Sequence, residues 1–226
     1  MEAPDRRALQ LAGGMQSSVA VLPTAAAADN NHERAGRNAL NWFRSLGAQQ
    51  VNVIPVIDRD SANDEALATR LAGAKLVYLL GGFPYYLARV LQDSLAWRAV
   101  LEAWHSGAVL AGSSAGAMVL CESFYDPHED RLVQGLNVLP GACVLPHHNR
   151  SGRRWAAKLL DELPGFTLIG IDEQTGMIND REEGGWSVYG AGSVTIYRDG
   201  TVDQFSHHTS PIRSEHGISD RLDELR

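Results

Sequence analysis

Apolar runs closed by glycine limit what this chain can fold into. Ala8–Leu11 ends at Gly13-Gly14, Lys75–Leu80 at Gly81-Gly82, and Ala108–Ala111 at Gly112-Ser113-Ser114-Ala115-Gly116. Between such runs lie stretches with helical spacing. From Glu33 to Leu46 the residues Ala35, Ala39, Trp42, Phe43 and Leu46 recur on one helical face, and Gly47 follows as a stop. Strands are expected at 18–24, 51–57, 75–80, 108–111 and 167–171, with 8–11 read as a further short apolar strand. Pro55 demotes the second of these towards an edge or a strand end. Helices are expected at 58–74, 85–92, 94–105, 115–120 and 153–163. The stretch 122–134 is polar and shows no clear period, and 135–144 reads as a turn entering a short strand. Segments 177–179, 186–189 and 193–197 alternate as antiparallel strands separated by tight turns. Strands alternating with helices predict a three-layer α/β/α sandwich with a mainly parallel central sheet and antiparallel strands near the C-terminus.

The chain has 226 residues, which suits a single domain spanning 1–226, with a core over 8–205 and a polar tail over 206–226. Only Cys121 and Cys143 are present, too few for a disulfide framework. No apolar run reaches the ~18 residues of a membrane span, and the N-terminus lacks the apolar centre of a signal peptide. A cytoplasmic protein is the expectation, with no membrane partner. The net charge of −7 argues against a nucleic-acid partner, which calls for a basic footprint. Lys75 and Lys158 are the only lysines, so cations in any pocket are expected to be arginines.

In open α/β sheets, ligands sit beyond the carboxyl ends of the strands. Gly112-Ser113-Ser114-Ala115-Gly116 falls there and fits the G-x-S-x-G nucleophile elbow, with Ser114 central. A tight strand-to-helix turn strains the central residue, and small neighbours let the backbone fold back. The serine hydroxyl then stands at a helix N-terminus, where N–H groups favour developing negative charge. A serine needs a base, and the base needs a group to orient it. His147 follows a short apolar run in Val144-Leu145-Pro146-His147-His148-Asn149. Glu173 stands just past the strand at 167–171, with Asp126, Glu129 and Asp130 as alternatives for the orienting acid. His105 reads as a helix C-terminal residue. His207, His208 and His216 lack the companions a metal site needs, so no metal is expected.

These motifs, taken in order, resemble one family. Ala111–Ala117, then Gly135-Leu-Asn-Val-Leu-Pro140 leading to Pro146–Asn149, then Gly170-Ile-Asp-Glu-Gln-Thr175, are similar to the cyanophycinase and dipeptidase E serine peptidases. Val21-Leu-Pro-Thr-Ala25 and Leu79-Leu-Gly-Gly-Phe-Pro84 agree, and the likeness runs over roughly residues 10–200. The resemblance implies a class I glutamine-amidotransferase-like sandwich and a hydrolase without cofactor. It implies Ser114 as nucleophile, His147 as general base and Glu173 as third member, with the backbone amides of Gly82 and Ala115 as oxyanion hole. Around them, Phe83, His148, Arg150, Arg153 and Arg154 are implied as substrate-binding residues, the arginines for acidic groups.

Departures from the family pattern refine this. Met15-Gln16 follows Gly14 where relatives carry a longer loop. Phe83-Pro84 replaces polar residues, and Pro146 and His148 flank His147 in place of Gln and Phe. Recognition of a β-aspartyl-arginine polymer is thereby disfavoured relative to hydrolysis of short peptides, such as Asp-Xaa dipeptides, by a monomer or homodimer. Two alternatives stand beside it: a non-catalytic binding module on the same fold, and a small-ester or amide hydrolase. Amidotransferases of this fold carry Cys at the elbow, and Cys121 lies seven residues past Ser114.

Overall fold

The computed structural model describes residues 1–181 and 185–207. Most of the expected polar tail, with His208 and His216, lies outside the described residues. The chain forms two compact units, one of Arg6–Val119 and one of Met1–Asp5 with Leu120–Arg226.

The first unit begins within helix α1 (Glu2–Leu11), continues through strand β1 (Ser18–Leu22), helix α2 (His32–Ser45), strand β2 (Gln50–Val53), helix α3 (Glu65–Ala72) and strand β3 (Leu76–Leu79), and closes with helices α4 (Pro84–Leu91) and α5 (Leu95–His105), strand β4 (Val109–Gly112) and helix α6 (Ala115–Val119). Its sheet has the order β2-β1-β3-β4, all parallel. Strand residues alternate between faces. Val19, Val21, Val51, Leu76 and Tyr78 cluster with Ala8 and Leu9 of α1 and Ala39 and Phe43 of α2. Residues of the other parity face away; there Leu79 meets α6 at Gly116. Helices therefore cover both faces of a parallel sheet, as the alternation of elements required.

Two expectations shift in detail. The helix expected over 58–74 occupies only Glu65–Ala72. The chain breaks first into a 3₁₀ turn at Ser61–Asn63, held by Ser61 Oγ, which accepts from the Ile57 and Asp58 amides at 2.9 and 3.0 Å. It then restarts at Asp64, whose Oδ1 accepts from the Leu67 N–H at 2.9 Å, the usual N-cap arrangement. The strand at 51–57 stops at Val53, short of Pro55, which carries no N–H for a ladder.

The second unit carries the hairpin β5 (Ser123–Asp126) and β6 (Arg131–Gln134), strand β7 (Ala142–Pro146), a π-helical turn (His148–Gly152), helix α7 (Arg153–Glu162) and strands β8 (Thr167–Ile171), β9 (Thr175–Asn179), β10 (Trp186–Gly190), β11 (Ser193–Arg198) and β12 (Thr201–Ser206). Its larger sheet has the order β12-β11-β8-β7, with β7 and β8 parallel and the others antiparallel. Strands β9 and β10 form a separate antiparallel pair. Helix α7 lays Ala156 and Leu159 onto Cys143, Leu145 and Leu168, with Tyr125 and Tyr197 in the same cluster. The protein is thus α/β, with a parallel four-stranded sheet and antiparallel strands towards the C-terminus. Among the described residues no helix is long and apolar enough to cross a membrane.

Candidate active site

In the first unit, β4 ends on Gly112, and Ser113 donates its N–H to the Leu79 carbonyl at 3.0 Å. The backbone then reverses at Ser114, whose φ is +49°, a left-handed value that costs an L-residue about 1 kcal/mol or more. The Ser114 carbonyl accepts from the Ala117 and Met118 amides at 3.0 Å each, which launches α6 directly from the serine. The two glycines that flank the motif are steric requirements. A Cβ on Gly112 would stand 2.4 Å from the Gly116 carbonyl carbon, and one on Gly116 would stand 2.2 Å from the Leu79 oxygen. Strand, turn and helix come this close only because both positions lack side chains.

The Gly81-Gly82 segment passes beside the serine. A Cβ on Gly81 would be 3.2 Å from the Ser114 Cβ and 3.8 Å from its Oγ. Gly82 has φ +146°, and a Cβ there would lie 2.4 Å from the Ala25 oxygen. That carbonyl also accepts from the Phe83 N–H at 2.9 Å, so residue 82 is held against β1's following turn. Among the described residues, neither the Gly82 nor the Ala115 N–H donates to a backbone carbonyl. Phe83 is half-buried at the start of α4.

In the second unit, β7 and β8 are paired in parallel with Pro146 opposite Ile171. His147 follows Pro146 directly and Glu173 follows Ile171 by two residues, so both leave carboxyl ends of neighbouring strands. His147 itself has φ +51°, and its carbonyl accepts from the amides of Arg150, Ser151 and Gly152 at 2.9, 3.0 and 3.1 Å. This π-helical turn winds the chain around the histidine. The His147 Nδ1 lies 3.3 Å from Glu173 Oε1, with the side chains 47% and 31% exposed. The Glu173 amide donates to Asn149 Oδ1 at 3.1 Å.

Two of the alternative acids have other partners. Asp126 is buried and Oδ1 accepts from the His128 amide at 2.9 Å. Asp130 accepts from the Tyr125 hydroxyl at 2.6 Å and pairs with Lys158 at 2.5 Å, which holds its carboxyl below the usual range, Lys158 before Tyr125 in effect. Glu129 is exposed.

The expected substrate-binding residues divide. Arg153 and Arg154 are exposed at the first turn of α7. Arg150 is exposed too, but its Nε sits 3.0 Å from Glu173 Oε2. His148 is only 3% exposed; its Nε2 meets the Tyr197 hydroxyl at 2.8 Å and its Nδ1 lies 3.6 Å from Asp172 Oδ1. Burial pushes the His148 imidazolium pKa down, against the opposing pull of the Asp172 carboxylate, and Arg153 adds to the lowering. Its ring braces the interior beneath the turn. Sequence reasoning assigned no role to Asn149, Asp172 or Tyr197. The first two lie inside the quoted motifs, whereas Tyr197 is 49 positions from His148 and left no signal. Among the described residues no cluster of His, Cys, Asp and Glu could hold a metal ion.

A serine in a left-handed turn between a parallel strand and a helix, in a sheet covered on both faces, places the chain among α/β proteins with a strand-to-helix elbow. The chain belongs to peptidase family S51, which matches residues 3–183. It is 30% identical over 211 residues to a cyanophycinase of Synechococcus elongatus, covering 88% of this chain and 64% of that one. A cyanophycinase of Geminocystis herdmanii is 27% identical over 208 residues, covering 87% and 75%. The chain thus spans about two-thirds or less of the length of the first of these relatives, at 64%. Among solved structures, a peptidase from an acI-B1 actinobacterium superposes with a TM-score of 0.73 at 29% identity, covering 91% of this chain and 88% of that one. A putative peptidase E protein of Listeria monocytogenes superposes at 0.54 with 19% identity, covering 87% and 90%, a likeness of fold alone.

Proposed function

We propose that this chain is a serine peptidase that hydrolyses short peptides, Asp-Xaa dipeptides among them, through Ser114, His147 and Glu173. The observation that carries the reading is the left-handed backbone of Ser114 at the turn from β4 into α6. A backbone cost of this kind persists where the surrounding structure over-determines it, and here Gly112 and Gly116 supply the necessary close approach.

In the proposed reaction, Ser114 Oγ attacks the peptide carbonyl carbon while its proton passes to His147 Nε2. Glu173, on Nδ1, holds the imidazole in the tautomer whose Nε2 accepts the proton and stabilises the imidazolium that forms. The tetrahedral oxyanion receives the Gly82 and Ala115 amides, an interaction whose single donors are worth roughly 10²–10³ in rate in serine peptidases. When the C–N bond breaks, His147 returns the proton to the leaving amine. Water then cleaves the acyl-enzyme ester by the same steps in reverse order of roles. No group outside the chain is required. Arg153 and Arg154 are the cations open to an acidic substrate group, since Arg150 is already paired. The half-buried Phe83 beside the Gly81-Gly82 segment suits an apolar part of a small substrate better than a charged polymer backbone.

The test is covalent labelling of the purified chain and of Ser114→Ala with a fluorophosphonate probe, followed by mass spectrometry of a mixed dipeptide library. Labelling confined to Ser114, with loss of Asp-Xaa dipeptides from the library, is the expected result. Labelling without peptide cleavage, but with turnover of simple aryl esters, would move the activity to ester hydrolysis. A folded protein that takes no label refutes the serine mechanism and leaves a binding module.

A further inference from the structure

Two residues of the 147–150 stretch, His147 and Arg150, meet one carboxylate, and a third, Asn149, meets the backbone of the same residue. Glu173 Oε1 faces His147 Nδ1 at 3.3 Å, and Oε2 faces Arg150 Nε at 3.0 Å. The Glu173 amide donates to Asn149 Oδ1. This convergence is a product of the π-helical turn, in which three successive amides close on the His147 carbonyl. The turn brings residues 149 and 150 back towards the side on which His147 meets β8's continuation. The resemblance implied that Arg150 binds substrate, but its guanidinium is committed to the carboxylate that orients the proposed base.

We propose that Arg150 is a positioning residue for the His147–Glu173 pair. The proposal rests on the catalytic reading above. The physical reason is geometric. The terminal torsion of a glutamate is soft, so a carboxylate held through one oxygen swings away from an imidazole; anchoring the second oxygen stops that rotation. Other charged and titratable groups surround the pair within the same unit. Asp172 precedes Glu173 and is tied to the Ser193 amide and to His148. Tyr197 of β11 meets His148, and Arg153 of α7 acts on His148. None of these has a contact to the Glu173 carboxylate among those described, which leaves Arg150 as the group that shares it with His147.

The pair of Arg150 with Glu173 is exposed, Arg150 at 74%, so its loss is expected to cost about two- to fivefold in kcat, the range such a pair supports. The experiment measures kcat and KM of the full chain, Arg150→Gln and Arg150→Lys. Expected is a lower kcat with an unchanged KM in Arg150→Gln, a smaller loss in Arg150→Lys, and narrowing of the difference in high salt. A raised KM with an unchanged kcat would overturn the proposal and make Arg150 a substrate contact, and no change in either would overturn it too. The same Arg150→Gln substitution in a Ser114→Ala background, read by NMR of the His147 ring, is expected to broaden or split the ring resonances as the imidazole loses its fixed partner; unchanged resonances would overturn the proposal. Absence of turnover in the parent would sink the catalytic reading, while the ring resonances would still decide the role of Arg150.

Discussion

Gly116→Ala separates two opposing effects by their magnitudes. Gly116 lies inside α6, where exchanging glycine for alanine ordinarily gains about 1 kcal/mol of helix propensity. The new methyl would stand 2.2 Å from the Leu79 oxygen, 2.8 Å from its carbonyl carbon and 2.9 Å from its Cβ. Carbon and oxygen in close non-bonded contact need roughly 3.3 Å, so α6 or β3 must retreat by about 1 Å. The atoms in the way are backbone atoms of a central strand, which has parallel partners on both sides, and cannot rotate aside. Overpacking costs ~1–3 kcal/mol, and a clash with backbone belongs at the upper end. The net effect is a loss of about 2 kcal/mol, or roughly 4–8 °C in melting temperature. Gly73→Ala is the control. Gly73 has φ −83°, and its Cβ would have one neighbour, the Thr69 oxygen at 3.9 Å. It should be neutral or gain a few tenths of a kcal/mol. Urea and thermal unfolding of both variants, with fluorophosphonate labelling of each folded protein, give the answer. A Gly116→Ala protein as stable as its parent and labelled at the parent's rate would refute the steric account of the elbow.

Three further outcomes follow from the second unit. Glu173→Gln should keep the fold yet reduce kcat by about 10³–10⁴, because an amide can stabilise the wrong imidazole tautomer; a loss below about tenfold in steady-state assays would remove Glu173 from the triad. Burial pushes the His148 imidazolium pKa down in the folded protein, whereas in the unfolded chain it takes a proton near pH 6.5. Its contribution to stability is therefore full above about pH 6.5 and is lost as the pH falls below that value. Urea midpoints across this range should show the slope in the parent and a reduced slope in His148→Phe; equal slopes would show that other groups carry it. Cys121 and Cys143 are both buried, and burial raises both thiols, Cys143 to about 12. The native protein should resist a disulfide-exchange reagent that labels it promptly in urea, and rapid native labelling would contradict the burial.

The sequence alone determined those parts of the site that are local in the chain. The elbow was legible in Gly112-Ser113-Ser114-Ala115-Gly116 because strand, reversal and helix occupy adjacent residues and demand small side chains at fixed offsets. The parallel sheet was legible because its strands are short apolar runs between helical stretches. His147 and Glu173 were legible as residues just past such runs. Other features depended on distant groups. Ala8–Leu11 reads in sequence as a short apolar strand closed by Gly13-Gly14, yet it is the end of helix α1, since the polar first turns gain their place from packing of Ala8 and Leu9 against α2 and the sheet. The hairpin of β5 and β6 gave no period because β5 is largely buried while β6 is not, and what pairs them is the ladder from Ser123–Gln134 to Asp126–Arg131. Tertiary structure alone decided the roles of the residues around His147. It turned His148 inward to Tyr197 and Asp172, and it spent Arg150 on Glu173. The physical reason is that a residue's type limits which partners it can take, while the π-helical turn and the register of β7 on β8 decide which of them comes within hydrogen-bond distance.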